Sequence, residues 1–309
     1  MTIMDPGDKR KIVRKKGYFK RSRKYFIFFL LVGPALVLRI SLAVYPFLQT
    51  VYMSFFELNL LTQVDRFVGI QNFTHLFSDS TTRSIFSFTI VFIVVSTALQ
   101  LILGMLIASL LNARIVGRQI GRTINLIPWA IPMVAAGLAF RWMLDDQYGL
   151  ITDLIYRIIG TRSAFLVYPT SAQIAVILVN VWKNVPFMAI VFLAGLQNVP
   201  AELYEASKID GATAFQAYRK ITIPLSIPLV ITLGLFTIIW QLATFDLVYV
   251  MTGGGPGVAT TVLAFRIFQR GMLWFDWGMA SALSVYLIFI VGIVGVLGIY
   301  LFRKYEVTL

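Results

Sequence analysis

Hydrophobic residues fall into six long runs separated by shorter polar stretches. Each run has about 20 residues or more, which is enough for a helix to cross a hydrocarbon core about 30 Å thick. The runs are continuous rather than alternating, and a helix satisfies its own backbone hydrogen bonds in lipid. The pattern therefore predicts an all-α integral membrane protein with six transmembrane helices. The predicted spans are Tyr25 to Phe47, Ile85 to Leu111, Ile124 to Met143, Ala172 to Leu196, about Ile227 to Met251, and about Met279 to Phe302.

Pro128 and Pro132 interrupt the third run, and Pro186 lies inside the fourth. The first run has about 23 residues, which is longer than the 7–15 apolar residues of a secretory signal. We therefore expect it to be a retained anchor.

Basic residues are distributed unevenly between the connections. The segment from Lys9 to Lys24 holds ten Lys and Arg residues of the 27 in the chain, and the second and fourth connections are also basic. The alternate connections are more acidic. Because cytoplasmic loops carry an excess of Lys and Arg, we expect both termini to be cytoplasmic. Residues 1–24 are predicted to form a basic cytoplasmic tail, and residues 25–305 the transmembrane domain.

Composition narrows the function classes. Hydrophobic residues make up 58% of the chain and charged residues 13%, whereas a soluble domain is about 45–50% apolar and about 25% charged. The absence of cysteine and the single histidine exclude disulfides, thiolate nucleophiles and Cys- or His-rich metal sites. The net charge of +13 is concentrated in the tail and forms no face interleaved with aromatic residues, which argues against nucleic-acid binding. We expect no catalytic residues and no metal site.

Residues 198–224, between the fourth and fifth runs, are patterned as a helical hairpin. Pro200 can begin a helix, Gly211 can turn the chain at positive φ, and Asp210 can cap a second helix. The same pattern also fits an amphipathic connector that lies on the membrane surface, and periodicity alone does not separate the two.

The spacing of residues within this hairpin resembles the EAA loop of ABC importer permeases. That loop reads Glu-Ala-Ala, three residues, Gly, nine residues, Ile-x-Leu-Pro. Here Glu205-Ala-Ser is followed after three residues by Gly211 and after nine more by Ile221-x-Ile-Pro224. The chain departs from the pattern at Ser207 and Ile223, which keep the small and apolar character.

Two further segments are similar to motifs of the maltose-type carbohydrate branch, in its first-permease type. They are Asn180-Val-Trp-Lys-Asn-Val-Pro186-Phe187 and Thr252-Gly-Gly-Gly-Pro-Gly257. The resemblance implies an ABC type I importer permease fold and a place in the bacterial inner membrane. It implies a carbohydrate substrate, either a sugar, an oligosaccharide or a sugar-like anion.

The same resemblance implies partners and coupling residues. The partners would be a second EAA-bearing permease, two ATPase subunits and an extracytoplasmic solute-binding protein. ATP and magnesium would belong to the ATPase, because this chain has no Gly-x-x-x-x-Gly-Lys-Ser/Thr phosphate cradle. The residues implied to couple to the ATPase are Glu202, Glu205, Ala206, Ser207, Asp210, Gly211 and Ala212.

Polar and aromatic residues recur at helical spacing in the fourth and fifth runs. Amide and hydroxyl groups beside aromatic rings suit a sugar, although interhelical hydrogen bonding explains the same pattern. Lys183, in mid-span, favours an anionic carbohydrate; the alternatives are a partner acid or the outer interface. Trp129 is expected to lie at the membrane interface. The residues predicted for the substrate path are Asn180, Lys183, Asn184, Phe187, Thr237, Trp240, Gln241 and Thr244.

An ion-coupled secondary transporter is the competing function. It would require an inverted repeat and an acidic residue near the membrane midplane. We find no repeat in the sequence, and Asp246 is not central in its predicted span.

Overall fold

The computed structural model describes residues 8–113 and 116–305, and these residues are mostly helical. Helix α1 makes one compact unit, and the chain from Ser54 onward makes the second. Residues 1–7 of the predicted tail lie outside the described residues. The helices are α1 Asp8–Met53, α2 Gln71–Ser78, α3 Ser80–Asn112, α4 Arg118–Ala130, α5 Met133–Met143, α6 Leu150–Ile159, α7 Pro169–Leu196, α8 Ala201–Ile209, α9 Ala214–Ala217, α10 Ile223–Ala243, α11 Asp246–Met251, α12 Leu263–Phe268 and α13 Trp277–Tyr305.

Within residues 8–113 and 116–305, five stretches of helix are long and apolar enough to cross a membrane. They are Phe28–Met53 within α1, then α3, α7, the helical stretch Ala214–Ala243 and Trp277–Lys304 within α13. Helix α1 includes the first predicted span and extends beyond it at both ends, so the segment from Lys9 to Lys24 is helical.

The third predicted span is two helices, because α4 and α5 meet at an angle of 87°. At the break, Ile131 is extended, with φ −71° and ψ 132°. Pro132 explains this conformation, since its ring disfavours a helical conformation at the preceding residue. Counted as one broken span, the pair brings the total to six.

The fifth predicted span ends earlier than expected. Helix α10 stops at Ala243, and Thr244 is extended with ψ 122°. The residues from Asp246 to Met251 form the separate helix α11. The prediction of one helix through Met251 was therefore wrong, because hydrophobicity alone does not reveal this break.

Helices α3 and α7 pack against each other at the centre of the second unit. Phe92 of α3 and Phe192 of α7 are fully buried. At Gly104 of α3, an added Cβ would lie 2.6 Å from the Cβ of Met188 in α7, so only glycine allows this close approach. Helix α4 packs against α7, and helix α10 packs against α3.

A small antiparallel hairpin covers one end of this unit. Strand β1 (Phe56–Asn59) pairs with β2 (Val64–Phe67), with Phe56 opposite Phe67. The Asn72 side chain of α2 donates to the carbonyls of Ser54 and Phe56, which anchors the hairpin to α2. We call this the β-hairpin end.

Candidate functional site

A cavity of about 220 Å³ lies between α3, α4, α7 and α10. Each of these four helices contributes at least one side chain to its lining. The lining residues are Gln100, Trp129, Asn184, Phe187, Met188, Phe236, Thr237, Trp240 and Gln241.

Four aromatic rings form one wall of the cavity. Trp129 stacks on Phe187 with a centroid separation of 5.7 Å, and Phe187 lies 6.1 Å from Phe236. Phe236 in turn lies 5.8 Å from Trp240. The two tryptophans at the ends are 47% and 60% exposed, so part of their ring surface is free to contact a ligand. Aromatic faces are electronegative and attract the weakly positive C–H groups of a ligand.

Amide side chains form a hydrogen-bonded network beside this wall. The Asn180 amide of α7 donates to Gln241 Oε1 of α10 at 2.9 Å. The Asn184 amide donates to both Asn180 Oδ1 and the Asn180 carbonyl, each at 2.9 Å. Because Asn180 and Gln241 are both buried, this network links α7 to α10 and orients the amides at the cavity.

Lys183 binds a backbone carbonyl. Its Nζ donates to the carbonyl of Trp129 at 2.6 Å, and the residue is buried. No backbone N–H in the described chain bonds to this carbonyl, because the chain turns away after Ala130. A helix leaves its last carbonyls without partners, so Lys183 acts as a side-chain cap for α4. It thereby ties Trp129 to α7.

The structure brings five of the eight predicted path residues to the cavity: Asn184, Phe187, Thr237, Trp240 and Gln241. Asn180 is not part of the lining, but its side chain donates a hydrogen bond to Gln241. Lys183 and Thr244 are also outside the lining. The Thr244 hydroxyl donates to the Trp240 carbonyl at the end of α10.

Four lining residues were missed by the sequence analysis. Trp129 was expected at the membrane interface, yet it forms one end of the aromatic wall. It lies between Pro128 and Pro132, next to the break in the third span, so the two prolines were a signal that this segment is irregular. Gln100 is a polar residue in the middle of an apolar run, and this polarity was the signal that could have identified it. Met188 and Phe236 are apolar residues in apolar helices, and no sequence signal marks them.

The predicted hairpin is present at the end of the unit opposite β1 and β2. Helix α8 ends at the turn around Gly211, which has φ +74° as predicted. The amide of Ala212 donates to the Ser207 carbonyl and closes the turn. The predicted cap was wrong, because Thr213 and not Asp210 caps α9. Thr213 and Gln216 form a reciprocal capping box, which requires the residue immediately before the helix.

The hairpin presents apolar side chains on its surface. Leu203, Ile209 and Phe215 are 42%, 88% and 71% exposed. Glu202 and Glu205 are exposed on the same helix as Leu203, and Ala206, Asp210 and Gly211 are exposed as well. Ser207 and Ala212 are half-buried. The Tyr204 hydroxyl lies 2.9 Å from Thr222 Oγ1 and ties the hairpin to the segment leading into α10.

Charged groups cluster at the β-hairpin end. The guanidinium groups of Arg266 and Arg270 lie 4.6 and 5.1 Å from the centroid of the Trp274 ring. Burial, together with the neighbouring charge of Arg270, lowers the pKa of Arg266. Asp276 forms an ion pair with Arg270 at 2.8 Å. The described residues contain no group of three or more His, Asp or Glu that could hold a metal ion.

Comparison with known proteins identifies relatives that match most of the chain. Residues 100–306 match the family model described as "Binding-protein-dependent transport system inner membrane component". The chain is 36% identical over 257 residues to the sulfoquinovosyl glycerol transport system permease protein SmoG of Agrobacterium fabrum, covering 83% of each chain. It is 36% identical to the trehalose/maltose transport system permease protein MalF of Thermococcus litoralis, covering 83% of this chain and 87% of that one.

A solved structure shares the fold. One chain of the crystal structure of a bacterial alginate ABC transporter, in complex with a periplasmic protein that carries an alginate pentasaccharide, superimposes with a TM-score of 0.81. The match covers 93% of this chain and 97% of that chain at 20% identity. At this identity the likeness shows the fold alone.

Proposed function

This chain belongs to the family of binding-protein-dependent transport system inner membrane components, and on that basis we propose that it imports a carbohydrate as one permease subunit of an ATP-driven transporter. Family membership makes it a multi-pass transport subunit and decides against the ion-coupled secondary transporter. In the proposal, this subunit forms half of the translocation pathway and a second, similar permease forms the other half.

One observation carries the carbohydrate assignment: the cavity combines four aromatic rings with three amide side chains and a threonine. A sugar has weakly positive C–H faces that stack on aromatic rings, and hydroxyl groups that both donate and accept hydrogen bonds. The relatives named for sulfoquinovosyl glycerol and for trehalose and maltose support the same class of substrate.

The cavity is proposed to contact the uncharged parts of this substrate. No Lys or Arg side chain lines it in the described part of the chain, and the Lys183 ammonium is bound to the Trp129 carbonyl. An anionic group on the carbohydrate would therefore find its partner elsewhere in the assembled pathway.

Coupling to ATP hydrolysis is proposed to run through the hairpin around Gly211. The exposed Leu203, Ile209 and Phe215 supply an apolar surface for a groove on a separate ATPase subunit. Glu202 and Glu205 lie beside it and can accept charge-assisted hydrogen bonds. In this arrangement the hairpin, both termini and the two ATPase subunits are cytoplasmic, and ATP and magnesium bind to the ATPase.

Reconstitution tests this function. The chain is placed in vesicles with its second permease, the ATPase subunits and the solute-binding protein, and uptake of radiolabelled trehalose, maltose and sulfoquinovosyl glycerol is measured. We expect uptake of at least one of them only when ATP and the binding protein are both present. Uptake driven by an ion gradient without ATP, or uptake that does not require the binding protein, would overturn the proposal.

A further inference from the structure

Gln100 is distinctive among the cavity-lining residues. Its Oε1 is buried and has no hydrogen-bond partner in the described part of the chain, and no other lining side chain has such an atom. Gln100 lies in the middle of α3 and is 1% exposed. Buried polar atoms in native proteins nearly always have a partner, and a ligand in the cavity that Gln100 lines can supply one for this oxygen.

The surrounding amides determine which atom of Gln100 is left unpaired. Its Nε2 donates to the Asn180 carbonyl at 3.5 Å, which directs Oε1 away from that contact. The nearby amide of Asn184 donates to Asn180, and the amide of Asn180 donates to Gln241. Both of these amides already donate within the network, and no described side chain donates to Gln100 Oε1, so a molecule in the cavity can supply that donor.

We propose that Gln100 Oε1 accepts a hydrogen bond from a hydroxyl group of the transported carbohydrate. The inference rests on the proposed function and adds α3 to the helices that contact the sugar. A carbonyl oxygen accepts only from a donor. It therefore selects a hydroxyl over a deoxy position, an ether oxygen or an ionised sulfonate, phosphate or carboxylate. The aromatic wall fixes the position of the sugar ring, so Gln100 contacts the hydroxyl at one position of that ring.

The test uses three variants of the complete transporter. Gln100→Met keeps the length of the side chain and removes the acceptor. Gln100→Glu keeps an acceptor, since a carboxyl group at a buried site favours its neutral form. Thr97→Val is the matched control, because Thr97 Oγ1 is also buried and unpaired on α3 but Thr97 is outside the cavity lining.

Uptake is measured for whichever of trehalose, maltose and sulfoquinovosyl glycerol the wild type transports, and for its monodeoxy analogues. Rates are compared at saturating binding protein and saturating sugar, so that affinity for the binding protein does not enter. Assembly of each complex is checked by co-purification.

We expect the wild type to transport one monodeoxy analogue about tenfold more slowly than the parent sugar. Gln100→Met should transport the parent about tenfold more slowly and lose this discrimination. Gln100→Glu should retain it, and Thr97→Val should behave as wild type. If Gln100→Met is slower but keeps the wild-type preference, or is unchanged, the inference is wrong while the proposed function stands. If uptake by the wild type requires neither ATP nor the binding protein, the proposed function fails and the inference fails with it.

Discussion

Replacing Lys183 by methionine distinguishes two roles for this buried cation, capping of helix α4 and binding of an anionic sugar. Met has similar length and no charge, so the change removes the bond between Nζ and the Trp129 carbonyl at 2.6 Å. If Lys183 caps α4, the variant loosens the break between α4 and α5 and misplaces the Trp129 ring. If Lys183 instead binds an anionic sugar, the variant leaves the fold intact and loses only charged substrates.

The structure indicates the size of the effect. A hydrogen bond that involves a charged group contributes about 1.5–3 kcal/mol. The Trp129 carbonyl gains no backbone donor in compensation, because the next helix turns away by 87°. The burial of the ammonium works in the opposite direction, since removing it also removes its desolvation. We therefore expect Lys183→Met to lower the free energy of unfolding by about 1–2 kcal/mol, below the full value of the bond.

The assay is thermal unfolding of the purified transporter combined with uptake of one neutral and one anionic sugar. Arg141→Met is the matched control, because the exposed Arg141 also donates to a backbone carbonyl, that of Val250, at 3.4 Å. We expect Lys183→Met to unfold earlier and to lose uptake of both sugars in the same proportion, and Arg141→Met to resemble wild type. Unchanged unfolding with selective loss of the anionic sugar would refute the capping role.

The remaining predictions concern topology, coupling and one helix cap. A single cysteine at Ser207 should be labelled by an impermeant thiol reagent only in inside-out vesicles, and labelling in intact cells would contradict the proposed orientation. Gly211→Leu should uncouple uptake from ATP hydrolysis, whereas Gly211→Asn should be milder because asparagine tolerates φ +74°; equal uptake by both variants would exclude the turn from coupling. Asp79 caps α3, and its hydrogen bond from the Thr82 hydroxyl is the main cause that lowers the Asp79 pKa. Asp79→Ala should destabilise the protein by about 1 kcal/mol at neutral pH. Because the pKa of Asp79 is lowered in the folded state, this difference in stability should shrink as the pH falls below about 4. A difference that persists at lower pH would show that the ionised Asp79 carboxylate is not the source of the stabilisation.

Hydrophobic runs predict helices well where packing does not interrupt them. The positions of α3, α7 and α13 follow closely from their apolar runs. The end of α10 does not, because an apolar residue such as Phe245 fits an extended segment or a helix equally well. The positive φ of Gly211 was predictable, because this conformation depends on the residue type and its sequence neighbours rather than on distant contacts.

The candidate site was predictable only one helix at a time. Helical spacing placed Asn180 and Asn184 on one face of α7, and Trp240 and Gln241 on α10. The bond between Asn180 and Gln241 depends on the relative height and rotation of two helices, which spacing within one helix does not determine. Trp129 lies at the end of α4 and reaches the cavity because α4 packs against α7, so its role depends on tertiary structure.

Whether sugar occupies the cavity between α3, α4, α7 and α10 is the most direct test of the proposed function. This chain has no cysteine, so a cysteine introduced at Phe236, a lining residue that is 47% exposed, is its single thiol and lies at the cavity. Phe289→Cys on α13 is the matched control, since Phe289 is 64% exposed and outside the lining. In the assembled transporter with ATP and sugar-loaded binding protein, we expect the sugar to slow thiol modification of Phe236→Cys about fivefold or more and to leave Phe289→Cys unchanged. Equal modification rates at Phe236→Cys with sugar-loaded and sugar-free binding protein, in a transporter that is importing sugar, would show that sugar does not occupy this cavity.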